Sequence, residues 1–412
     1  AVCSSHIDRQ LKGYVGDSQL DYSGALMVLT IKLSSFGFNV LDGRTEDRYL
    51  TEYNQRMKIA RYPTLIEFFG WAFFFGGFLT GPVCEYMDYI RFTNLPLVET
   101  APNESKKPVS SNLSTWKPAM FVLTKSIILV IILVLFAPTY NYYAALEPAY
   151  LAMPFYQRFF FLQACGFMTR VKYYSVWVMA EGACVLCGLG FSGINSEGKP
   201  QWDRLRNVRI RECETAPSVK YYTENWNMKA NIWLRHYVYL RLTPPGAKPA
   251  IKNTFCVYAI SAMWHGFHPG YYRKFFCVVF FIPVGVYQTL SRSCRRLIRP
   301  LTLEPDQKTP RPFWKSAYDV VGWFFTYTVI NFLIGAFDLL YISRILHIWR
   351  GIYYYHLWGA ALLWGFYKLS YPFFMKLQKQ RLQASEKAED KKLSDLEVKT
   401  SQTMRKRTLK AE

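Results

Sequence analysis

Long apolar runs that polar residues scarcely interrupt dominate this chain. Residues 119–138 read AMFVLTKSIILVIILVLFAP, and comparable runs cover 171–191, 275–290, 314–340 and 348–369. Each is near or above the roughly 17–25 residues that cross a bilayer as a helix. Weaker runs at 21–40, 64–83 and 153–168, with a short histidine-bearing segment at 254–266, bring the expected total to about nine membrane elements. Several contain Gly or Pro, which buried helices tolerate when neighbours satisfy the freed backbone groups. The expected fold class is all-α: a polytopic transmembrane helical protein with broken helices.

Composition agrees with that class. Hydrophobic residues make up 51% and aromatic residues 18% of 412 positions, more ring than an ordinary soluble core uses. Mean hydropathy is still 0.00, because a polar stretch at 192–253 and a charged tail at 376–412 dilute the runs. The formal charge of +21 does not point to nucleic acid, since the basic residues flank apolar runs instead of forming one soluble face. The charge bias that orients membrane chains accounts for them.

Arg292, Arg295, Arg296 and Arg299 place the loop after Leu290 in the cytosol. The runs at 314–340 and 348–369 go out and return, so the tail is cytosolic as well, a solvated helix or disorder. Counting backward puts the 192–253 insert on the same side. Its own charges agree: Arg204, Arg206, Arg209, Arg211, Lys220, Lys229, Arg235 and Arg241 stand against Asp203, Glu212, Glu214 and Glu224. The chain opens at Ala1 with no initiator Met and no signal-peptide pattern, so further upstream residues are expected. The single CxxC, Cys184 to Cys187, lies in an apolar run without metal spacing nearby, and the cysteines read as small packing residues. Sequons at Asn103 and Asn112 report glycans only if their loop is lumenal.

Two sites carry chemistry. His265 lies inside the apolar stretch TFCVYAISAMWHG. In a soluble core such an imidazole is usually satisfied by carbonyls, whereas an ionisable group within a membrane segment is costly and marks function. In the insert, Asn227 sits in WNMKANIWLRHYVYLRL, where Trp226, Trp233, Tyr237 and Leu240 are spaced to share one face of an interfacial amphipathic helix. On spacing alone Asn227 is that helix's N-cap. Glu181, Lys172 and Glu67 pose a smaller question, since a carboxylate or amine in an apolar run must be paired or wet. Gly76, Gly77, Gly81 and Pro82 read as close packing or a broken helix.

The pairing of WNMKANIWLRHYVYLRL with AMWHGFHPGYY, about 40 residues apart, resembles the membrane-bound O-acyltransferase superfamily, whose hallmarks are an Asn in a WN motif and a His in a WHG motif. The blocks DYSGALMVLTIKLSSFGFNVLDGR, RYPTLIEFFGWAFFFGGFLTGP, VKYYSVWVMAEGACVLCGLGFSG and KPQWDRLRNVRI are similar to its lysophospholipid acyltransferase branch, and there to the broad-specificity fungal type. The resemblance implies a membrane-embedded acyltransferase domain at 1–375, with tilted and broken helices around a central reaction chamber, and an appended tail. It implies transfer of a fatty acyl chain from acyl-CoA, a co-substrate, to the free hydroxyl of a lysophospholipid in the endoplasmic reticulum membrane, without bound cofactor, metal or nucleic acid.

Within that chemistry His265 is the general base, because an alcohol attacks poorly until its proton is being removed. Asn227 orients the hydroxyl or hydrogen-bonds the thioester oxygen. Trp226, Lys229, Trp233, Arg235, Trp264 and Glu181 are candidate substrate contacts, and Arg204, Arg206 and Arg209 candidate CoA phosphate contacts. His356, the other intramembrane imidazole, reads as a packed residue, and direct transfer needs neither Cys256 nor Ser261 as a nucleophile. An acyltransferase of the same superfamily acting on a sterol, diacylglycerol or protein is one alternative, although WNMKANIWL departs from the FYxDWWN-type pattern of the neutral-lipid branch. A lipid transporter or scramblase is the alternative outside the enzymes, but no inverted repeat is visible.

Overall fold

The apolar runs fold largely as helices: in this computed structural model 74% of the described residues are helix and 2% strand. It describes residues 23–94, 113–243, 251–265, 276–304, 309–339 and 342–408. The N-terminal part holds α1 (Ser23–Asp42), α2 (Glu52–Met57), α3 (Leu65–Ala72) and α4 (Tyr86–Thr93), followed by α5 (Trp116–Phe136), α6 (Pro148–Ala152) and α7 (Phe155–Leu186). Two short strands, β1 (Gly193–Ile194) and β2 (Pro200–Gln201), pair antiparallel and open the insert. The insert continues through α8 (Ile210–Glu214), α9 (Val219–Asn225), α10 (Met228–Trp233) and a π-helical segment (Leu234–Tyr239). The chain then forms α11 (Ile251–His265), α12 (Phe276–Ile298), α13 (Pro312–Leu339), α14 (Ile342–Gly351) and α15 (Tyr355–Thr408).

Among the described residues, three helices are long and apolar enough to cross a membrane, at Gly24–Asp42, Trp116–Phe136 and Pro312–Ala336. That is fewer than the runs suggested, and the reasons are local. The runs at 153–168 and 171–191 are one helix, the 32-residue α7. The charges in its middle and C-terminal half do not break it because each finds a partner: Arg170 on Glu214, Lys172 on Asp338 and Glu181 on Arg206. The run at 64–83 does not span. Thr64 and Glu67 form a reciprocal capping box that starts α3, and Glu67 is thereby an N-terminal cap and not a chamber residue. The buried Lys32 of α1 ends α3 by donating Nζ to the carbonyls of Trp71 and Ala72, at 2.6 and 3.1 Å. The FFFGGFLTGP stretch is close packing: a Cβ at Gly77 would lie 2.4 Å from the Pro82 carbonyl oxygen.

The last run, 348–369, is also broken. Tyr353 and Tyr354 have φ of 55° and 51°, a left-handed pair that no α-helix passes through, so α14 stops at Gly351 and α15 begins at Tyr355. From there the helix continues unbroken to Thr408 and carries the charged tail with it. The arginines at 292–296 belong to the last turns of α12 and not to a loop.

The 192–253 insert is no separate layer. Val208, Cys213, Ala216, Val219 and Tyr222 are buried in one core with Tyr174 and Trp177 of α7, Tyr287 of α12 and Val329 and Leu333 of α13. Backbones approach closely there: a Cβ at Gly322 would lie 2.5 Å from the Pro217 carbonyl oxygen. The cysteines pack as expected, Cys84 and Cys184 against Leu189 and Leu205. No group of three metal-ligating side chains occurs among the described residues. The sequons at Asn103 and Asn112, and the HPGYY turn after WHG, lie outside the described residues.

Candidate active site

Asn227 follows α9 and precedes α10, and its backbone is left-handed, with φ 46° and ψ 53°. It occupies the N-cap position, yet its side chain makes no capping bond. The cap is supplied from elsewhere. Asn207, 2% exposed, accepts the Met228 N–H on its backbone oxygen at 2.8 Å and the Lys229 N–H on Oδ1 at 3.1 Å. This overturns the expectation that Asn227 caps the helix.

The capping geometry also fixes the amides. A backbone N–H needs an oxygen, so Asn207 must turn Oδ1 to Lys229, which leaves its Nδ2 to donate to Asn227 Oδ1 at 3.2 Å. Asn227 is thus held by its oxygen, and its Nδ2 has no partner among the described residues. A strained, non-glycine αL residue with a committed acceptor and a spare donor is an arrangement often found at functional sites.

Trp226 does not share a helical face with Trp233, contrary to the amphipathic-helix expectation. The left-handed turn at Asn227 throws the two indoles into different cores. Trp226 stacks on Tyr222 and meets Tyr173, Tyr174 and Trp177 edge-on, with centroids 5.0 to 5.8 Å apart. That cage is anchored by Arg170, 1% exposed, which clasps Glu214 with two bonds of 2.7 and 2.8 Å, while Tyr174 donates to the same carboxylate. Trp233 and Tyr237 instead join Val28, Ile31, Val83, Ala230 and Trp264 in a second cluster.

This second cluster brings the two hallmark segments together. Trp264 lies 6.1 Å from Trp233, ring to ring, and both indoles donate to α1, Trp264 to the Met27 carbonyl at 2.9 Å and Trp233 to Ser34 Oγ at 3.0 Å. His265, half-buried, is the last described residue of α11, and its ring lies 4.5 Å from that of Trp264. Ala230, one turn after Asn227, is in the same cluster. The π-helical turn at 234–239 is held by a buried polar set, with Tyr237 donating to Asn39 and Glu85 and Tyr53 donating to Glu85. A π-bulge next to a candidate site is a recurrent association.

The expected CoA contacts divide. Arg206 donates to the buried Glu181 at 3.0 Å, so both are structural partners. Arg204 donates to the Phe191 carbonyl and pairs with Asp88 at 3.3 Å, and its own carbonyl accepts from Lys229 Nζ. Burial pushes the Lys229 ammonium below its ordinary pKa, with Asp88 acting in the opposite direction. Arg209 and Arg235 are exposed and unpaired among the described residues. His356, by contrast, is buried against Phe332 of α13, Tyr287 of α12 and its own neighbour Tyr355. Ser261 is buried one turn before His265 and Cys256 is half-buried.

Sequence reading missed Asn207, although it sits in the KPQWDRLRNVRI block; nothing in its spacing ties it to Asn227. It missed the Glu85 set for the same reason. The residues that hold the site come from separate parts of the chain.

Comparison with known proteins fits this geometry. The profile of MBOAT, the membrane-bound O-acyltransferase family, matches residues 10–335. The chain is 34% identical over 352 residues to a protein named lysophospholipid acyltransferase from Schizosaccharomyces pombe, covering 85% of this chain and 67% of that one. It is 33% identical over 365 residues to the protein of the same name from Saccharomyces cerevisiae, covering 85% of this chain and 58% of that one. Lysophospholipid acyltransferase 1 of Arabidopsis thaliana is 30% identical over 354 residues, 85% of this chain and 72% of that one. This chain thus spans roughly three fifths to three quarters of those relatives' lengths. With the Asn and His segments joined in one core and the family profile running through both, this helical membrane chain belongs to the membrane-bound O-acyltransferase family.

Proposed function

We propose that this protein transfers a fatty acyl chain from acyl-CoA to the free hydroxyl of a lysophospholipid, within the membrane of the endoplasmic reticulum. His265 takes the hydroxyl proton as the oxygen attacks the thioester carbonyl, and returns it to the departing CoA thiolate. The spare Nδ2 of Asn227 donates to the carbonyl oxygen as charge builds on it, a contribution of about 3 kcal/mol for one donor. No acyl-enzyme is formed. The observation that carries this reading is the Asn207 bond to Asn227 Oδ1, which leaves the amide N–H₂ available to a substrate oxygen.

The substrates reach the site from different phases. CoA is water-soluble and the lysolipid is not, so a chamber beside Asn227 and His265 opens to the cytosol for CoA and sideways for the lipid. Of the arginines expected to contact CoA, Arg209 and Arg235 are left to meet its phosphates, and the insert and tail face the cytosol. The test is acyl transfer by purified protein against lysophospholipids, lysophosphatidic acid, diacylglycerol and sterol, alongside His265→Ala. Turnover on lysophospholipids, reduced about 10²- to 10⁴-fold in the variant, is expected. A well-folded His265→Ala protein with unchanged turnover, or turnover on sterol alone, overturns the reading.

A further inference from the structure

The first turn of α7 and the last turn of α14 meet at a groove of about 310 Å³ lined by Leu151, Arg158, His347, Arg350 and Gly351. Three of these five carry or can carry positive charge and none is acidic. Arg158 Nε is buried without a hydrogen-bond partner among the described residues. The rest of its guanidinium is steered by Tyr353, whose ring it overlies at 5.4 Å and whose hydroxyl accepts from it at 3.4 Å. Tyr353 is one of the two left-handed residues that break α14 from α15, so a strained turn supports the groove. A buried guanidinium nitrogen calls for an acceptor, and no carboxylate pairs with Arg158, His347 or Arg350 among the described residues.

Position in the membrane narrows the ligand. Arg158 and Glu181 lie on the same helix, 23 residues apart by their numbers, which is roughly 35 Å along the axis and more than the roughly 30 Å of bilayer hydrocarbon. α7 packs antiparallel along α5, one of the helices able to cross a membrane, with Leu123 at Gly182 and Tyr140 at Phe161, so the groove lies at the end of that pair opposite the Glu181–Arg206 bond. The exposed rings of Phe155 and Tyr353, 5.9 Å apart, flank it as aromatics do at headgroup level. Planar guanidinium groups suit phosphate oxygens, and a lipid brings its phosphate to this depth.

We propose that the groove binds the phosphate of a glycerophospholipid headgroup in the leaflet opposite the insert. It lies outside the Asn227 and His265 site, so lipid retention can be read without any acyl transfer. Native mass spectrometry of the detergent-purified chain tests it, with phosphatidylglycerol or a galactosyl diacylglycerol of the same acyl chains added. The wild type is expected to retain phosphatidylglycerol about tenfold or more over the galactolipid, and Arg158→Gln with Arg350→Gln to lose that preference. Arg158→Lys with Arg350→Lys keeps the charge and most of the retention, and His347→Gln, an exposed change, lowers it less. Equal retention of the two lipids by the wild type, or undiminished retention by folded Gln variants, refutes the site. Complete displacement by millimolar inorganic phosphate assigns the groove to a free anion and refutes the lipid.

Discussion

Replacing Asn207 by Ala isolates how Asn227 is held. The backbone bond to Met228 survives, while the 3.1 Å bond from the Lys229 N–H and the 3.2 Å bond to Asn227 Oδ1 are lost. Loss of the first is loss of a helix cap, about 1 kcal/mol. Loss of the second, a neutral half-buried pair, is about another 1 kcal/mol, so the expected cost is ~2 kcal/mol. The effect on catalysis is larger than on folding, because the freed amide can rotate and a misplacement of about 1 Å can cost roughly 10²-fold. The companion change Asn207→Asp separates the two. It keeps an oxygen for Lys229 N–H but has no N–H to offer Asn227 Oδ1, so stability recovers by about 1 kcal/mol while turnover stays low. Thermal unfolding in detergent and steady-state acyl transfer read the two quantities, and the fall should appear in kcat with little change in the KM for acyl-CoA. Turnover that recovers in step with stability in Asn207→Asp would reduce Asn207 to a cap and break the proposed link to catalysis.

Other outcomes follow from the same contacts. Asn227→Gly suits the φ of 46° and removes only the amide, so the fold should persist while turnover drops about 10²- to 10³-fold; unchanged turnover assigns Asn227 to backbone geometry alone. Arg209→Gln with Arg235→Gln, both exposed, should raise the apparent KM for acyl-CoA and do so less at high salt, and an equal rise for the lysolipid would point to fold damage instead. Arg206→Gln strands the buried Glu181 carboxylate and should destabilise more than the double change with Glu181→Gln, measured by thermal unfolding; additive losses would contradict the pairing. His236, half-buried against Tyr53 with Arg235 beside it, is pushed down to about 4 from 6.5 by burial first and that arginine second. Below 6.5 the unfolded chain takes up a proton that the folded one refuses, so stability should fall as pH drops from about 6.5 toward 4, and the acid-dependent part of the melting shift should shrink in His236→Gln.

The sequence alone determined the helical membrane class, since continuous apolar runs leave the backbone little choice but to bond internally. It also singled out His265 and Asn227, because a motif pair travels in the linear string whatever the chain does between its parts. Helix ends were legible only where a local signal was strong: Thr64 and Glu67 cap α3 through a spacing visible in the sequence, whereas the break before α15 rests on left-handed Tyr353 and Tyr354, residue types that announce nothing of the kind. The tertiary structure decided what each polar residue is for. Arg206 and Arg204 looked like phosphate ligands until Glu181 and Asp88 were found beside them. Asn227 looked like a cap until Asn207, distant enough in sequence to leave no periodic trace, took that duty and turned the amide outward. The physical reason is the same in each case: apolar burial follows pattern along the chain, but a hydrogen bond or ion pair depends on where two groups meet in space, and only the packed fold sets that.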